Sequence, residues 1–297
     1  MSAPAGAAAA HPLRGIALMV AAVSLFAVTE ALAKWLARSY PPAMIVWARY
    51  LLQTLMMLAL LWPRMGVRLV TSRRPGLQLV RGAILGLSSL LFYRALQSMP
   101  LADAGAITAI APILVTALAV RLLHEQAPPG TWWALAASFA GVLLIVRPGA
   151  GVFSWVGLLP VASAFMYAGF QLMTRRLSSI DDGDATLFIG AAVATVVLTA
   201  FVPFAWRTPD SLVDAALFVA TALVGWVGHL MLVRAYHEAP ATLLAPFSYA
   251  HLVVSLLLGL AVFGTFPDAP ALAGMAIIVV TGVRMALMRR RPAAAGA

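Results

Sequence analysis

Ten apolar stretches follow one another along the chain, near residues 14–37, 42–62, 77–98, 101–122, 131–147, 153–175, 185–206, 211–236, 240–265 and 269–289. Each runs for roughly 17 to 25 residues, the length at which an α-helix crosses a hydrocarbon core about 30 Å thick. Lipid offers no hydrogen-bond partners, so a chain that enters it must satisfy its backbone internally, as helix or as closed barrel. Barrel strands alternate apolar and polar residues, whereas these stretches are apolar on every side. With 63% hydrophobic and only 10% charged residues, the chain has too little polar surface for a soluble globule. The expected fold class is an all-α integral membrane protein with ten transmembrane helices.

The charges that remain are distributed by side. One set of alternate helix ends carries Arg14, Arg64, Arg68, Arg73, Arg74, Arg81, Arg121, Arg175, Arg176, Arg234 and Arg289 to Arg291; the other carries Lys34, Arg38, Arg147 and Arg207. Basic residues hold short loops on the cytoplasmic face. Both termini are therefore expected in the cytoplasm of a cell inner (plasma) membrane protein, as an even number of spans requires. The net charge of +10 is then mostly topology. A nucleic-acid partner is not expected, because the arginines flank hydrophobic spans instead of forming one face. The first stretch is long enough to span and follows the Ala-rich segment, so it is expected to stay as an anchor. With no cysteine, disulfide and thiolate chemistry are excluded.

The chain also reads twice, at an offset of about 140 positions. Tyr93-Arg94-Ala95-Leu96-Gln97-Ser98-Met99-Pro100 lies over Val233-Arg234-Ala235-Tyr236-His237-Glu238-Ala239-Pro240, Leu123-His124-Glu125 over Phe263-Gly264-Thr265, and Lys34-Trp35-Leu36 over Arg175-Arg176-Leu177. Five spans per copy invert the second copy relative to the first, an arrangement by which secondary transporters face two sides in turn. The expected organisation is a disordered tail at 1–13, a first five-helix repeat at 14–148, a second, inverted one at 149–291 and a disordered tail at 292–297.

The loops ending in Pro100 and Pro240, Pro112 within the fourth stretch, the terminus Leu122-Leu123-His124-Glu125 and the following Gly141-Val142-Leu143 resemble the drug/metabolite transporter superfamily of EamA type. The likeness covers the whole chain. It departs at Thr265, where that family often has an acid. Within the superfamily the chain looks most like the aromatic amino-acid exporters of YddG type. The resemblance implies a basket of helices around a central cavity, with the fifth and tenth helices peripheral, and export of amino acids or related metabolites from the cytoplasm.

A pathway should show as polar or aromatic residues at helical spacing near the bilayer midplane, where polar groups facing lipid are costly. Such stripes are Trp47, Tyr50 and Gln53 in the second stretch; Ser88, Ser89, Phe92 and Tyr93 in the third; and Gly105, Thr108, Pro112 and Thr116 in the fourth. Later stretches add Ser163, Tyr167, Gln171 and Thr174; Trp226, His229 and Tyr236; and Ser248, Tyr249, His251 and Ser255. Ser and Thr equally well bond their own helix or hold neighbouring helices together. Trp35, Trp62, Trp132, Trp133, Trp155 and Trp206, near helix ends, read as interface anchors. Trp226, His229 and His251 are balanced between ligand contact and packing. Arg49 and Arg94 either attract a carboxylate or reach to the outer interface.

Rings with few fixed charges suit a small amphipathic substrate such as an aromatic or bulky neutral amino acid, and also many drugs. Lys34 is the single lysine and ends no Gly-rich loop, so ATP hydrolysis through a phosphate loop is excluded. Transport is then facilitated or ion-coupled. Glu30 is the carboxylate well inside a span; a proton carrier is one reading, and a charge pair with Lys34 four residues on is the plainer one. His229 and His251 are further proton-carrier candidates. No metal cluster or nucleophile constellation marks an enzyme, and no cofactor is expected. Membrane lipid is the expected surround; oligomeric state is not encoded legibly, although Gly82-Ala83-Ile84-Leu85-Gly86 offers a small-residue face within or between chains. Alternating access is the expected mechanism, with Gly86, Gly105, Gly169, Gly225 and Gly228 at points of bending or close approach.

Overall fold

The structure, a computed structural model, describes residues 12–125, 130–146 and 155–288. Among these every regular element is helical: α1 (Pro12–Leu36), α2 (Pro42–Met65), α3 (Pro75–Leu96), α4 (Leu101–Thr108), α5 (Ala111–Leu122), α6 (Thr131–Val146), α7 (Leu158–Leu177), α8 (Gly183–Thr199), α9 (Leu212–Glu238), α10 (Ala241–Leu244), α11 (Ala250–Phe263) and α12 (Ala269–Met288). Short 3₁₀ turns fall at Gly66–Val70, Trp155–Gly157, Val202–Phe204 and Ala245–Tyr249. Helix thus lies in each of the ten apolar stretches. By length and composition, Pro12–Leu36, Pro42–Val70, Pro75–Leu96 and Leu212–Glu238 suffice to cross a membrane, and Gly183–Thr199, Phe247–Phe263 and Ala269–Thr281 are shorter apolar helices.

Prolines set the departures from the expected boundaries. The stretch 101–122 is two helices, because Pro112 has no N–H and its ring collides with the carbonyl four residues back, at Thr108, where α4 ends. Pro112 accordingly sits in the first turn of α5 and not inside a continuous helix. Pro203 ends α8 at Thr199 in the same way, short of the expected 206. In 240–265 the break is a 3₁₀ turn around Pro246. The expected disordered tails, apart from Pro12 and Leu13 in α1, lie outside the described residues, as do Arg147, Arg289 to Arg291, the boundary between the copies at 148/149 and the side chain of Trp155.

Helices of the first half pack chiefly on those of the second: α1 on α9, α3 on α7 and α8, α2 on α8 and α9, and α6 on α12. Small residues make these seams close. A Cβ on Gly82 would come within 2.6 Å of the Val193 Cβ, and one on Gly86 within 3.2 Å of Ala194. The small-residue face of α3 is therefore spent on α8 of the same chain.

Arg81 corrects an expectation. Expected among cytoplasmic loop charges, it is 1% exposed, in the seam of α3, α7 and α8. Its Nε donates to Thr174 Oγ1 at 2.7 Å and its Nη1 to the Thr186 carbonyl at 3.0 Å, with the guanidinium 4.6 Å from the Phe170 ring centre. The absence of a side chain at Gly190 makes the room, since a Cβ there would stand 2.6 Å from Nη1. Outside, large apolar residues such as Leu55, Trp133, Val196 and Leu257 are exposed, the inverse of a soluble fold. Trp35, Trp62, Trp132 and Trp206 are also exposed.

Candidate functional site

A cavity of about 120 Å³ lies where the two halves meet, room for about four waters at roughly 30 Å³ each. Its walls follow from helical spacing. Val23, Phe26 and Glu30 share one face of α1, and Ser163, Tyr167 and Gln171 share one face of α7. From α3 come Leu85, Ser88, Ser89, Phe92 and Tyr93; from α2, Arg49; from α9, His229. Both broken stretches point their interruptions at the cavity: Thr108, Ala109, Ala111 and Pro112 flank the first break, and Ser248, Tyr249, His251 and Leu252 the second. None of the lining residues belongs to α6 or α12.

The site residues expected from sequence are thus largely brought together: Ser89, Phe92, Tyr93, Thr108, Pro112, Ser163, Tyr167, Gln171, His229, Tyr249, His251 and Glu30 all line this space. Trp47 and Trp226 do not. The Trp47 indole Nε1 donates to Thr199 Oγ1 at 2.9 Å, and its ring meets Trp206 edge-on at 6.0 Å. Trp226 packs on a cluster containing Met57, Leu69, Phe188 and Val233, between α2, α8 and α9. Phe26 and Val23 were not anticipated, because an apolar residue in an apolar helix carries no mark of the side it faces.

Several wall groups are fixed by neighbours. Ser163 Oγ donates to the Ser88 carbonyl at 2.8 Å, Tyr167 stacks on Phe170 at 5.6 Å, and the Tyr236 hydroxyl donates to Gln171 Oε1. Thr108 Oγ1 donates back to the Gly105 carbonyl of its own helix at 2.9 Å. His229 lies 4.7 Å from the Phe26 ring and 5.9 Å from Phe170, and neither ring nitrogen has a hydrogen-bond partner among the described residues.

Two charged groups distinguish this cavity from an apolar one. Glu30 Oε2 is 2.8 Å from His251 Nε2, with both side chains 16% exposed. The pairing of Glu30 with Lys34 along one helix face is therefore not made. Lys34 Nζ turns away and donates to the carbonyls of Leu96 and Met99, at 2.9 and 2.7 Å, because the last carbonyls of a helix lack partners of their own and attract a cation. Arg49 is the second group. Its Nη1 donates to the Tyr93 hydroxyl at 2.9 Å and its Nη2 to the Tyr50 hydroxyl. Of the two arginines expected toward the outer half, Arg49 thus faces the cavity, while Arg94 is exposed and bonds Gln97.

Beneath the cavity, at the end of the bundle carrying the loops α2–α3 and α7–α8, Arg175 Nε pairs with Glu125 Oε1 at 3.1 Å and Arg175 Nη1 donates to the Tyr236 carbonyl at 2.6 Å. Glu125 also accepts from the N–H of Thr242 at 3.0 Å, so it satisfies the free N-terminus of α10. Asp181 ties the same loops together, accepting from the Ser72 hydroxyl, from the Arg73 N–H at 2.9 Å and from Gln78 Nε2 at 3.0 Å.

Comparison with known proteins agrees with this architecture. The EamA-like transporter family matches residues 13–147. The pseudopaline exporter CntI of Pseudomonas aeruginosa is 31% identical over 93% of this chain and 97% of its own length. The riboflavin transporter of Vibrio cholerae is 26% identical, over 91% of this chain and 92% of its own. The S-adenosylmethionine uptake transporter of Rickettsia conorii is 27% identical over 73% of each. A crystal structure at 20% identity superposes with a TM-score of 0.69, covering 93% of this chain and 96% of the other, which speaks to fold alone.

Proposed function

Because the chain belongs to the EamA-like transporter family, within the drug/metabolite transporter superfamily, we propose that it exports small amphipathic metabolites, aromatic or bulky neutral amino acids among them, from the cytoplasm by alternating access. The relatives carry pseudopaline, riboflavin and S-adenosylmethionine, which supports a small-metabolite substrate. The observation that carries the reading is the cavity at the junction of the halves, where ring faces of Phe26, Phe92, Tyr93 and Tyr167 surround the polar groups of Glu30, His251 and Arg49. Rings supply contact area and the polar groups fix orientation.

Ten crossings as two inverted repeats, with both termini cytoplasmic in the inner membrane, are part of the same proposal. Paired contacts at the sequence offset support it. Lys34 bonds the Leu96 carbonyl and Arg175 the Tyr236 carbonyl, while the N–H of Glu125 bonds Ala119 and that of Thr265 bonds Gly259, at 3.2 and 3.1 Å. Likewise α1 packs on α9 as α7 packs on α3. Such correspondence is what a two-fold relation between halves requires.

A second reading, proton antiport by a multidrug or other-metabolite exporter, is favoured by one observation: Glu30 is joined to His251 across the cavity and not to Lys34 along its helix. A pair that can share or release a proton where substrate binds suits ion coupling. The test is efflux from proteoliposomes loaded with labelled phenylalanine, tryptophan, riboflavin and S-adenosylmethionine, with and without a pH gradient. Saturable aromatic efflux supports the amino-acid reading, and movement of the other solutes alone overturns it.

A further inference from the structure

Arg49 presents a cation without a counter-ion among the described residues. It is 5% exposed, it lines the cavity, and among the described residues none of the ion pairs includes it. Its hydrogen bonds go to neutral hydroxyls, those of Tyr50 and Tyr93, and its Nε makes none. The guanidinium lies 4.3 Å from the Tyr50 ring centre and 5.6 Å from that of Tyr93. The stem passes beside Gly225, where an added Cβ would meet the Arg49 Cδ at an ordinary contact distance of 3.5 Å. A buried charge with only neutral partners is costly, and within a membrane-spanning bundle it marks a place where function supplies the missing charge.

The second buried arginine shows the contrast. Arg81 has both its Nε and Nη1 occupied by Thr174 and Thr186, and it is absent from the cavity wall. It is held as structure. Arg49 faces open space beside hydroxyls that can donate as readily as accept: Tyr50 Oη also lies 2.8 Å from Ser89 Oγ, which lines the cavity too. Arg49, Tyr93 and Ser89, braced from behind by the buried Tyr50, therefore form a cradle of N–H and O–H donors suited to two carboxylate oxygens.

We propose that Arg49, with Tyr93 and Ser89, binds the carboxylate of the transported solute, and that the solute is a zwitterion whose ammonium group lies toward Glu30. The second half follows from the first. A simple anion in this cavity would meet the Glu30 carboxylate, whereas a solute carrying both charges meets a complement at each pole. His251 occupies Oε2 of Glu30 at 2.8 Å, and no hydrogen bond to Oε1 is made among the described residues. The inference rests on the transporter reading of the cavity and narrows its substrate to the amino-acid class, with the aromatic walls of Phe26, Phe92 and Tyr167 receiving the side chain.

The experiment is competition against labelled L-phenylalanine and L-tryptophan on the full chain in nanodiscs, using each free amino acid and its methyl ester, beside proteoliposome transport of the same solutes and of riboflavin. The wild type should prefer the free acid over the ester by about 10- to 100-fold, the range of a charge-assisted hydrogen bond. Arg49→Gln should abolish that preference while leaving ester binding within about twofold, and Arg49→Lys should restore part of it. Equal affinity for acid and ester in the wild type overturns the proposal even if the Gln variant fails to fold. Riboflavin transport without binding of either amino acid overturns it and leaves the transporter standing. No movement of any solute sinks both.

Discussion

Glu30 on α1 and His251 on α11 meet at 2.8 Å, although 221 positions separate them in sequence. The contact joins the two halves through the cavity wall, so motion of one half against the other must either carry this pair along or break it. Replacing the carboxylate by an amide keeps its size and removes its titration. Glu30→Gln is expected to cut gradient-driven efflux in proteoliposomes about tenfold or more while equilibrium exchange persists. Unchanged gradient-driven efflux in that variant would remove Glu30 from proton coupling.

The proposed repeat sets Lys34 at the place that Arg175 takes in the second half. Arg175 has Glu125 at 3.1 Å, whereas Lys34 bonds the carbonyls of Leu96 and Met99, and Thr265 stands at the sequence position that matches Glu125. Glu125→Gln should release the end carrying Arg175, lowering thermal stability by about 1–3 kcal/mol as the charge-assisted bonds are lost. On the proposed repeat, Thr265→Glu should supply the other end with the same pair and bias the protein toward opening at the Arg175 end. The chain has no cysteine, so a single introduced cysteine at either mouth reports accessibility without background. Equal labelling in the Thr265→Glu variant and the parent would refute the latch.

Gly82 lies at a close approach of α3 to α8. A methyl group there would approach the Val193 Cβ to 2.6 Å and the Gly190 carbonyl to 3.1 Å, so Gly82→Ala is expected to cost about 1–3 kcal/mol through overpacking. At Gly169 nothing lies within 4 Å of an added Cβ, and Gly169→Ala should stay within about 0.5 kcal/mol of the parent. Thermal unfolding in detergent compares the two, and the order should not invert.

Asp181 gives the loop network a pH dependence. Burial pushes its carboxyl up, but the Ser72 hydroxyl, the Arg73 N–H, the Gln78 amide and the Arg73 charge outweigh burial and hold it below the ordinary carboxylate value. A folded-state value below the unfolded one contributes stability above the unfolded value, near pH 4, that disappears as pH falls through the folded one. Asp181→Asn should therefore unfold at a lower temperature than wild type at neutral pH, with the gap closing below about pH 4. A gap that stays constant from neutral to acid pH would assign the loss to packing instead.

Much of the cavity wall was legible because polar residues in an apolar helix stand out. Ser163, Tyr167 and Gln171 recur at every fourth position, and their shared face does look inward. The same logic failed for Trp47 and Trp226, which are amphipathic enough to be satisfied at an interface or a helix seam. It had nothing to say of Phe26, which contacts His229 while resembling every other apolar residue of α1. The arginines divide similarly. Arg49, Arg81 and Arg94 are identical in composition, yet one faces the cavity, one is buried in a helix seam and one is exposed.

What the sequence determined by itself was the class of the chain and its punctuation. Apolar runs of that length admit only helices in lipid, and Pro112, Pro203 and Pro246 interrupt those helices because proline cannot donate to the helical ladder. Only the tertiary structure decided which face of each helix turned inward and which charges met. In a helix that is apolar all round, no contrast of polarity orients it. Its rotation is set by packing against neighbours such as Gly82 on Val193, and the partners of Glu30 and Lys34 follow from that rotation.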